Sequence, residues 1–333
     1  MSEILPSTIA GSVFGTALTL SGVYRPGVIT SQLQLTNFHM LKVFLSASAV
    51  SALAVALYEK TTRRELSRRP QSNLGLIRPY DGNIIGGAMV GVGMALTGAC
   101  PGTVLVQVGT GISSGRYAIL GGILGGILYT FLARKLRKTP SCGGNQAETL
   151  GRRLGMSPTA TMLMFEMMCL SVLLAARYFA PGSRESFLRP ETAGLVIGVA
   201  QLVALVLTRS PVGVSTSYED VGRWFWDCCG CGSDSLKGKK TFIPTSRAIS
   251  FAGGIVASSF ALSRAVPGVI FEDSSAIPPA RGILGGLIMV LGARTAGGCP
   301  SGHGISGMSM FSISSFVTVA SMFAGGIGLS LLL

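Results

Sequence analysis

Apolar runs alternate with short polar segments along the whole chain, and several approach the roughly 20 residues needed to cross a bilayer. None shows the period-two alternation of a membrane β-barrel strand. The pattern predicts an all-α membrane protein with nine spans: about 8–23, 38–57, 83–97, 117–132, 159–179, 192–207, 246–266, 280–296 and 311–332. The first span ends at Tyr24-Arg25-Pro26-Gly27, followed by a short amphipathic piece to Thr36. A polar loop holding Trp224, Trp226, Cys228, Cys229 and Cys231 is expected between spans six and seven.

Two stretches recur. Gly86, Gly87, Gly93, Gly98, Cys100 and Pro101 reappear at one fixed offset as Gly285, Gly286, Gly292, Gly297, Cys299 and Pro300. Ala10, Gly11 and Gly15 are likewise echoed by Ala193, Gly194 and Gly198. The chain therefore reads as one transmembrane domain, 1–333, with repeat one at 8–133, a spacer helix at 159–179 and repeat two at 192–332. A single spacer helix inverts the second copy. Inverted repeats with interrupted helices put a substrate site near the bilayer midplane.

Charge gives the orientation. The net charge is +13, yet only 12% of residues are charged, against about 25% in soluble domains. Most basic residues crowd the loops after spans two, four and six: Lys60, Arg63, Arg64, Arg68, Arg69 and Arg78; Arg134, Lys135, Arg137, Lys138, Arg152 and Arg153; Arg209, Arg223, Lys237, Lys239, Lys240 and Arg247. By the positive-inside rule these loops and the N-terminus are cytoplasmic. Nucleic-acid binding is thereby disfavoured, and the bilayer is the expected partner. The start of the chain has no basic n-region, so no cleavable signal is expected. The Cys100 loop then enters from outside and the Cys299 loop from inside, in what is expected to be the plasma membrane.

Glycine and proline break both spans, and broken backbone at membrane depth is tolerated only in protein or beside water. Helical segments starting at Pro101 and Pro300 aim their positive ends at the loops, a setting for anions. The anion-binding candidates are Gly98, Pro101, Gly102 and Thr103 in one loop. In the other they are Gly297, Gly298, Pro300, Ser301, Gly302 and His303, with Arg294 in the span before it. Arg294 and His303 have structural readings too, as braces of loop backbone. Cys169 is read as a small apolar residue, and Lys42 as snorkelling or paired. Cys228, Cys229 and Cys231 lack a zinc-site spacing and read as surface thiols or a palmitoylation site. No metal or cofactor site is expected.

The strings Gly-Val-Gly-Met-Ala-Leu-Thr-Gly-Ala-Cys-Pro-Gly (91–102) and Gly-Ala-Arg-Thr-Ala-Gly-Gly-Cys-Pro-Ser-Gly-His-Gly-Ile-Ser-Gly (292–307) resemble the YeeE/YedE family of sulphur-transport membrane proteins. The resemblance implies an hourglass of nine spans with short helices dipping to the centre. It implies thiosulphate import, with Cys100 and Cys299 passing the anion along by S–H···S contacts. Bacterial members commonly carry a further cysteine after the first helix. Here Ser21 to Gly27 has none, and Tyr24 and Arg25 occupy that region.

The expectation is thus a transporter, not an enzyme, for thiosulphate or another small sulphur oxyanion, with Cys100 and Cys299 on the substrate pathway. A cytoplasmic sulphur-acceptor protein is a candidate partner. No Gly-x-x-x-x-Gly-Lys-Ser/Thr loop for ATP is present. A channel-like pore for another anion, or a membrane thiol enzyme of sulphurtransferase type at Cys299, are the alternatives.

Overall fold

The computed structural model describes residues 3–76, 79–136, 148–180, 186–229, 246–266, 268–269 and 277–333. Its helices are α1 (Ile4–Ser21), α2 (Pro26–Leu33), α3 (His39–Thr62), α4 (Asp81–Thr97), α5 (Pro101–Thr110), α6 (Ser113–Leu136), α7 (Leu150–Leu154), α8 (Pro158–Phe179), α9 (Pro190–Thr208), α10 (Ser215–Cys228), α11 (Arg247–Ala265), α12 (Pro279–Ala296) and α13 (Ile313–Ser330). A π-helical turn, Ser301–Gly307, separates α12 from α13. Among the described residues, eight stretches are long and apolar enough to cross a membrane, or nine if the bent pair of α12 and the π turn counts as one. One of the eight is Asp81–Thr110, which joins α4 and α5 across the Cys100 break.

Local chemistry explains the ends. Proline at the first position starts α2, α5, α8, α9 and α12, where its missing N–H has no intrahelical partner to lose. Ser157 and Ser246 cap α8 and α11 through the backbone amides of Ala160 and Ile249. Gly98 and Gly297 end α4 and α12 in the left-handed region, at φ 58° and 85°.

Packing follows the repeat. Helix α1 packs against α11, and α9 against α3; α4 packs against α13, and α12 against α6. Exchanging the halves converts each contact into its partner. Helices α4 and α12 cross each other with reciprocal glycines. A Cβ on Gly86 would lie 2.6 Å from the Gly292 oxygen, and one on Gly292 2.6 Å from the Gly86 oxygen. A Cβ on Gly93 would lie 2.6 Å from the Gly285 oxygen. Residue 86 meets 292 while 93 meets 285, so the two helices run antiparallel. Small residues let membrane helices approach to backbone contact, where dispersion replaces the hydrophobic effect as the driving force.

Helix α8 stands at the periphery. It buries Thr161, Phe165 and Cys169, one stripe at helical spacing, and exposes Leu163, Met167, Leu170 and Leu174. An apolar helix with so much exposed surface suits lipid. Lys42 of α3 donates to the Ala180 carbonyl at 2.5 Å, just past the end of α8, where a cation meets the negative end of a helix.

One element departs from the sequence reading. Ser215–Cys228, expected as part of a polar loop, is helix α10, with Ser215, Ser217, Tyr218, Glu219 and Gly222 buried. Its Asp220, Arg223 and Asp227 interrupt any apolar run, so hydropathy misses it. Its polar and apolar residues nevertheless fall on separate faces.

The α4–α12 crossing yields a stability prediction. Gly86→Val and Gly292→Val are each expected to destabilise the protein by about 1–3 kcal/mol or more through overpacking. Gly253→Ala, whose Cβ meets nothing within 4 Å, is expected to be near neutral. Thermal unfolding in detergent, followed by size-exclusion chromatography, measures both. Equal midpoints for all three variants refute the close crossing.

Candidate functional site

Both broken spans border one cavity. Its walls are mostly apolar: Phe14, Leu18, Val23, Ile29, Met40, Phe44, Met94, Ile197, Met322 and Phe323. Cys100, Gly102 and Thr103 reach it from one break, and Pro300, Ser301 and Ile305 from the other.

At the first break, Cys100 is the N-cap of α5 in extended conformation. The Thr103 amide donates to the Cys100 sulphur at 3.4 Å, while the Cys100 amide donates to the Thr103 hydroxyl at 2.7 Å. This reciprocal capping box fixes the sulphur at a helix N-terminus. The sulphur accepts from the loop, and its own hydrogen is left to point elsewhere. Pro101 takes the first helical position, and its carbonyl accepts from the Tyr218 hydroxyl at 2.9 Å. The Gly98 carbonyl accepts from Gln107 Nε2 at 3.1 Å, and the same nitrogen donates to the Tyr24 carbonyl at 2.7 Å. Tyr24, in the region where the family resemblance leads one to look for a further cysteine, is fully buried, and its hydroxyl donates to the Val269 carbonyl at 3.4 Å.

At the second break, Cys299 is fully buried. Its sulphur lies 3.1 Å from the Ser301 hydroxyl and faces the backbone amides of Gly302, Val214 and Ser215. Two of those amides belong to the start of α10. The segment after Pro300 is a π-helical turn where an α-helix was expected. The Phe44 ring fills the space a Cβ on Gly304 would need, with a ring carbon 1.9 Å from that position. Only a residue without a side chain fits at position 304 against that ring.

His303 spans the loop. Its Nε2 lies 3.2 Å from the Ala296 carbonyl and its Nδ1 3.0 Å from the Ser315 hydroxyl. A carbonyl can only accept, so Nε2 carries the proton and Nδ1 accepts from Ser315. Both nitrogens are occupied in bracing the loop against α13. Arg294 pairs with the buried Glu219 of α10, with its guanidinium 5.8 Å from the Tyr129 ring centre. Glu219 also pairs with Arg223. The charge of Arg294 is thus balanced by a carboxylate that sequence reading had not identified.

Two further parts were missed. Helix α10 touches both breaks: Tyr218 holds Pro101, the amides before it face Cys299, and the Val214 side chain lies 3.6 Å from where a Cβ on Gly102 would be. Arg69, counted before only as one of many loop cations, donates from Nε to the Gly302 carbonyl at 2.7 Å and from Nη1 to the Gly297 carbonyl at 2.9 Å. Neither had a sequence signal of its own, since each is defined by a contact across more than eighty residues. Cys228 and Cys229 are exposed at the end of α10; Cys231, Lys237, Lys239 and Lys240 lie outside the described residues. Among the described residues no group of three or more His, Cys, Asp or Glu side chains could hold a metal.

Comparison with known proteins places the chain among sulphur transporters in sequence. The chain is 23% identical, over 324 residues, to the thiosulfate transporter TsuA of Spirochaeta thermophila, covering 93% of this chain and 92% of that protein. The family model described as sulphur transport matches residues 20–328, nearly the whole chain. The protein belongs to the sulphur transport family.

Proposed function

We propose that the protein imports thiosulphate, or a closely related small sulphur oxyanion, along a path that passes Cys100 and then Cys299. The observation that carries this reading is the single cavity bordered by both cysteine loops, in a member of a sulphur-transport family similar to a thiosulfate transporter. The cavity wall suits a soft solute. Met40, Met94, Met322 and Cys100 supply polarisable sulphur to an otherwise hydrocarbon surface. Sulphate, hard and strongly hydrated, loses more on entering such a space than an anion with an outer sulphur atom. The donors around each cysteine, Thr103 at one and Ser301 with three amides at the other, hold the thiols rather than react with substrate.

The inverted-repeat reading is supported by the exchanged helix pairings and the antiparallel α4–α12 crossing. It puts the two breaks on opposite sides of the cavity, Cys100 toward the outside and Cys299 toward the cytoplasm. The basic loops and the N-terminus are then cytoplasmic, in the plasma membrane, and a cytoplasmic sulphur acceptor would meet the Cys299 side. Cys228 and Cys229 report this orientation. An impermeant maleimide is expected to label them in inside-out vesicles and not in intact cells; labelling in intact cells reverses the topology.

The transport reading predicts that the thiols themselves are required. Serine keeps the size and a donor but replaces a polarisable sulphur with a hard oxygen. Cys100→Ser and Cys299→Ser are each expected to lower labelled thiosulphate uptake by about tenfold or more, equivalent to about 1.4 kcal/mol at the rate-limiting barrier. Normal uptake by the double variant refutes a role for the thiols and leaves a plain anion pore. A covalent sulphur adduct on Cys299 that turns over with substrate points instead to a thiol enzyme.

Arg294 acts in this reading through its ion pair. Arg294→Leu leaves Glu219 buried with only the exposed Arg223 as a partner, and breaking such pairs costs about 3–5 kcal/mol. Adding Glu219→Gln is expected to restore much of the lost thermal stability. If the double variant is no more stable than the single one, the pair is not what holds α10 to α12.

A further inference from the structure

The two cysteine loops differ in what caps the carbonyl of their first glycine. Both loops begin with a left-handed glycine that ends the preceding helix. The Gly98 carbonyl corresponds to the Gly297 carbonyl across the repeat. In the first half it accepts from the neutral amide of Gln107. In the second it accepts from the guanidinium of Arg69. The position that follows Arg69 by the same repeat offset is Gly268, next to the buried Val269. Capping this carbonyl therefore requires a donor but not a charge.

The charge of Arg69 is also not balanced nearby. Among the described residues no carboxylate lies within ion-pair distance of it. Its Nε and Nη1 hold the Gly302 and Gly297 carbonyls, which flank Cys299 in sequence. Its Nη2 donates to no described group. The Arg69 carbonyl accepts from Ser312 at 2.8 Å and Ser314 at 2.9 Å, so the residue is anchored at both ends. Glycines make room for the guanidinium. A Cβ on Gly302 would lie 3.0 Å from Nη2, one on Gly213 3.3 Å from Nη2, and one on Gly298 3.1 Å from Nη1. The guanidinium is within electrostatic reach of the Cys299 sulphur. Arg69 is half-buried, with two guanidinium nitrogens fixed on loop carbonyls and the third left open, and a planar fork with a free edge fits an oxyanion.

We propose that the Nη2 edge of Arg69, over Gly213 and Gly302, is an anion subsite on the Cys299 side of the path, taking the sulphur oxyanion as it passes Cys299. The proposal rests on the transport reading for its ligand. Arg294 does not serve this purpose, because Glu219 already neutralises it.

The test imitates the first repeat. Arg69→Gln keeps a neutral donor of the kind Gln107 supplies, and Arg69→Lys keeps the charge without the fork. In proteoliposomes, Arg69→Gln is expected to raise the KM for thiosulphate by about tenfold or more, the scale of one lost charge-assisted hydrogen bond. Arg69→Lys is expected to fall between Arg69→Gln and wild type. Thermal stabilisation of the detergent-solubilised protein by sodium thiosulphate, relative to sodium chloride, is expected in wild type and absent in Arg69→Gln. The rate at which a small thiol reagent reaches Cys299 monitors the loop, and it is expected to be unchanged in Arg69→Gln. An unchanged KM overturns the subsite, as does equal stabilisation of wild type and Arg69→Gln, or none in either. Equal loss in both variants with Cys299 newly reactive makes Arg69 a brace only, and also overturns it. Wild type that is stabilised by thiosulphate but does not transport it removes the transport reading and leaves the subsite standing.

Discussion

Interrupting a membrane span strands backbone amides and carbonyls where no bulk water can satisfy them, and everything around the two cysteines answers that constraint. Gln107 and Arg69 take the carbonyls of Gly98 and Gly297. His303 takes Ala296, Tyr218 takes Pro101, and the Cys100–Thr103 capping box closes the start of α5. The partners range from three residues away, Thr103, to more than two hundred, Arg69. The breaks are therefore not loose ends but the points at which the bundle is most heavily cross-tied. The antiparallel glycine contact of α4 and α12 completes the frame by bringing the two broken spans into backbone contact.

Helix α10 shows how this frame is shared. Its first residues face Cys299, its Tyr218 holds the Cys100 loop, its Glu219 pairs with α12, and Gly222 and Trp226 seat it on α6. A short helix of mixed polarity thus links both cysteine loops. Displacing it disturbs both cysteine environments together, which ties the geometry of one break to that of the other.

Much of the fold was legible because membrane spans have a strong signature: long apolar runs, proline at helix starts and glycine at their ends. The expected spans at 83–97, 159–179 and 192–207 meet α4, α8 and α9 within two residues at each end. The cysteine loops were legible because the repeat marks them twice. Helix α10 was not, because a helix at a protein–protein face inside the bundle can carry charges that hydropathy takes for a loop. The partner of Arg294 and the position of Arg69 were not legible either. Ion pairs and carbonyl caps join residues tens to hundreds of positions apart, and no local pattern announces them. The π-helical turn after Pro300 departs from the expected α-helix because its width answers a ring, that of Phe44, from another element.

The wall of the cavity has a chemical consequence. Met40, Met94, Met322 and Cys100 give it a sulphur-rich, polarisable lining. The same atoms are the ones most open to oxidation. A methionine sulphoxide there replaces an apolar thioether with a strongly polar group, which draws in water and hardens the surface. A lining rich in thioethers is thus also a lining whose polarity changes with oxidation.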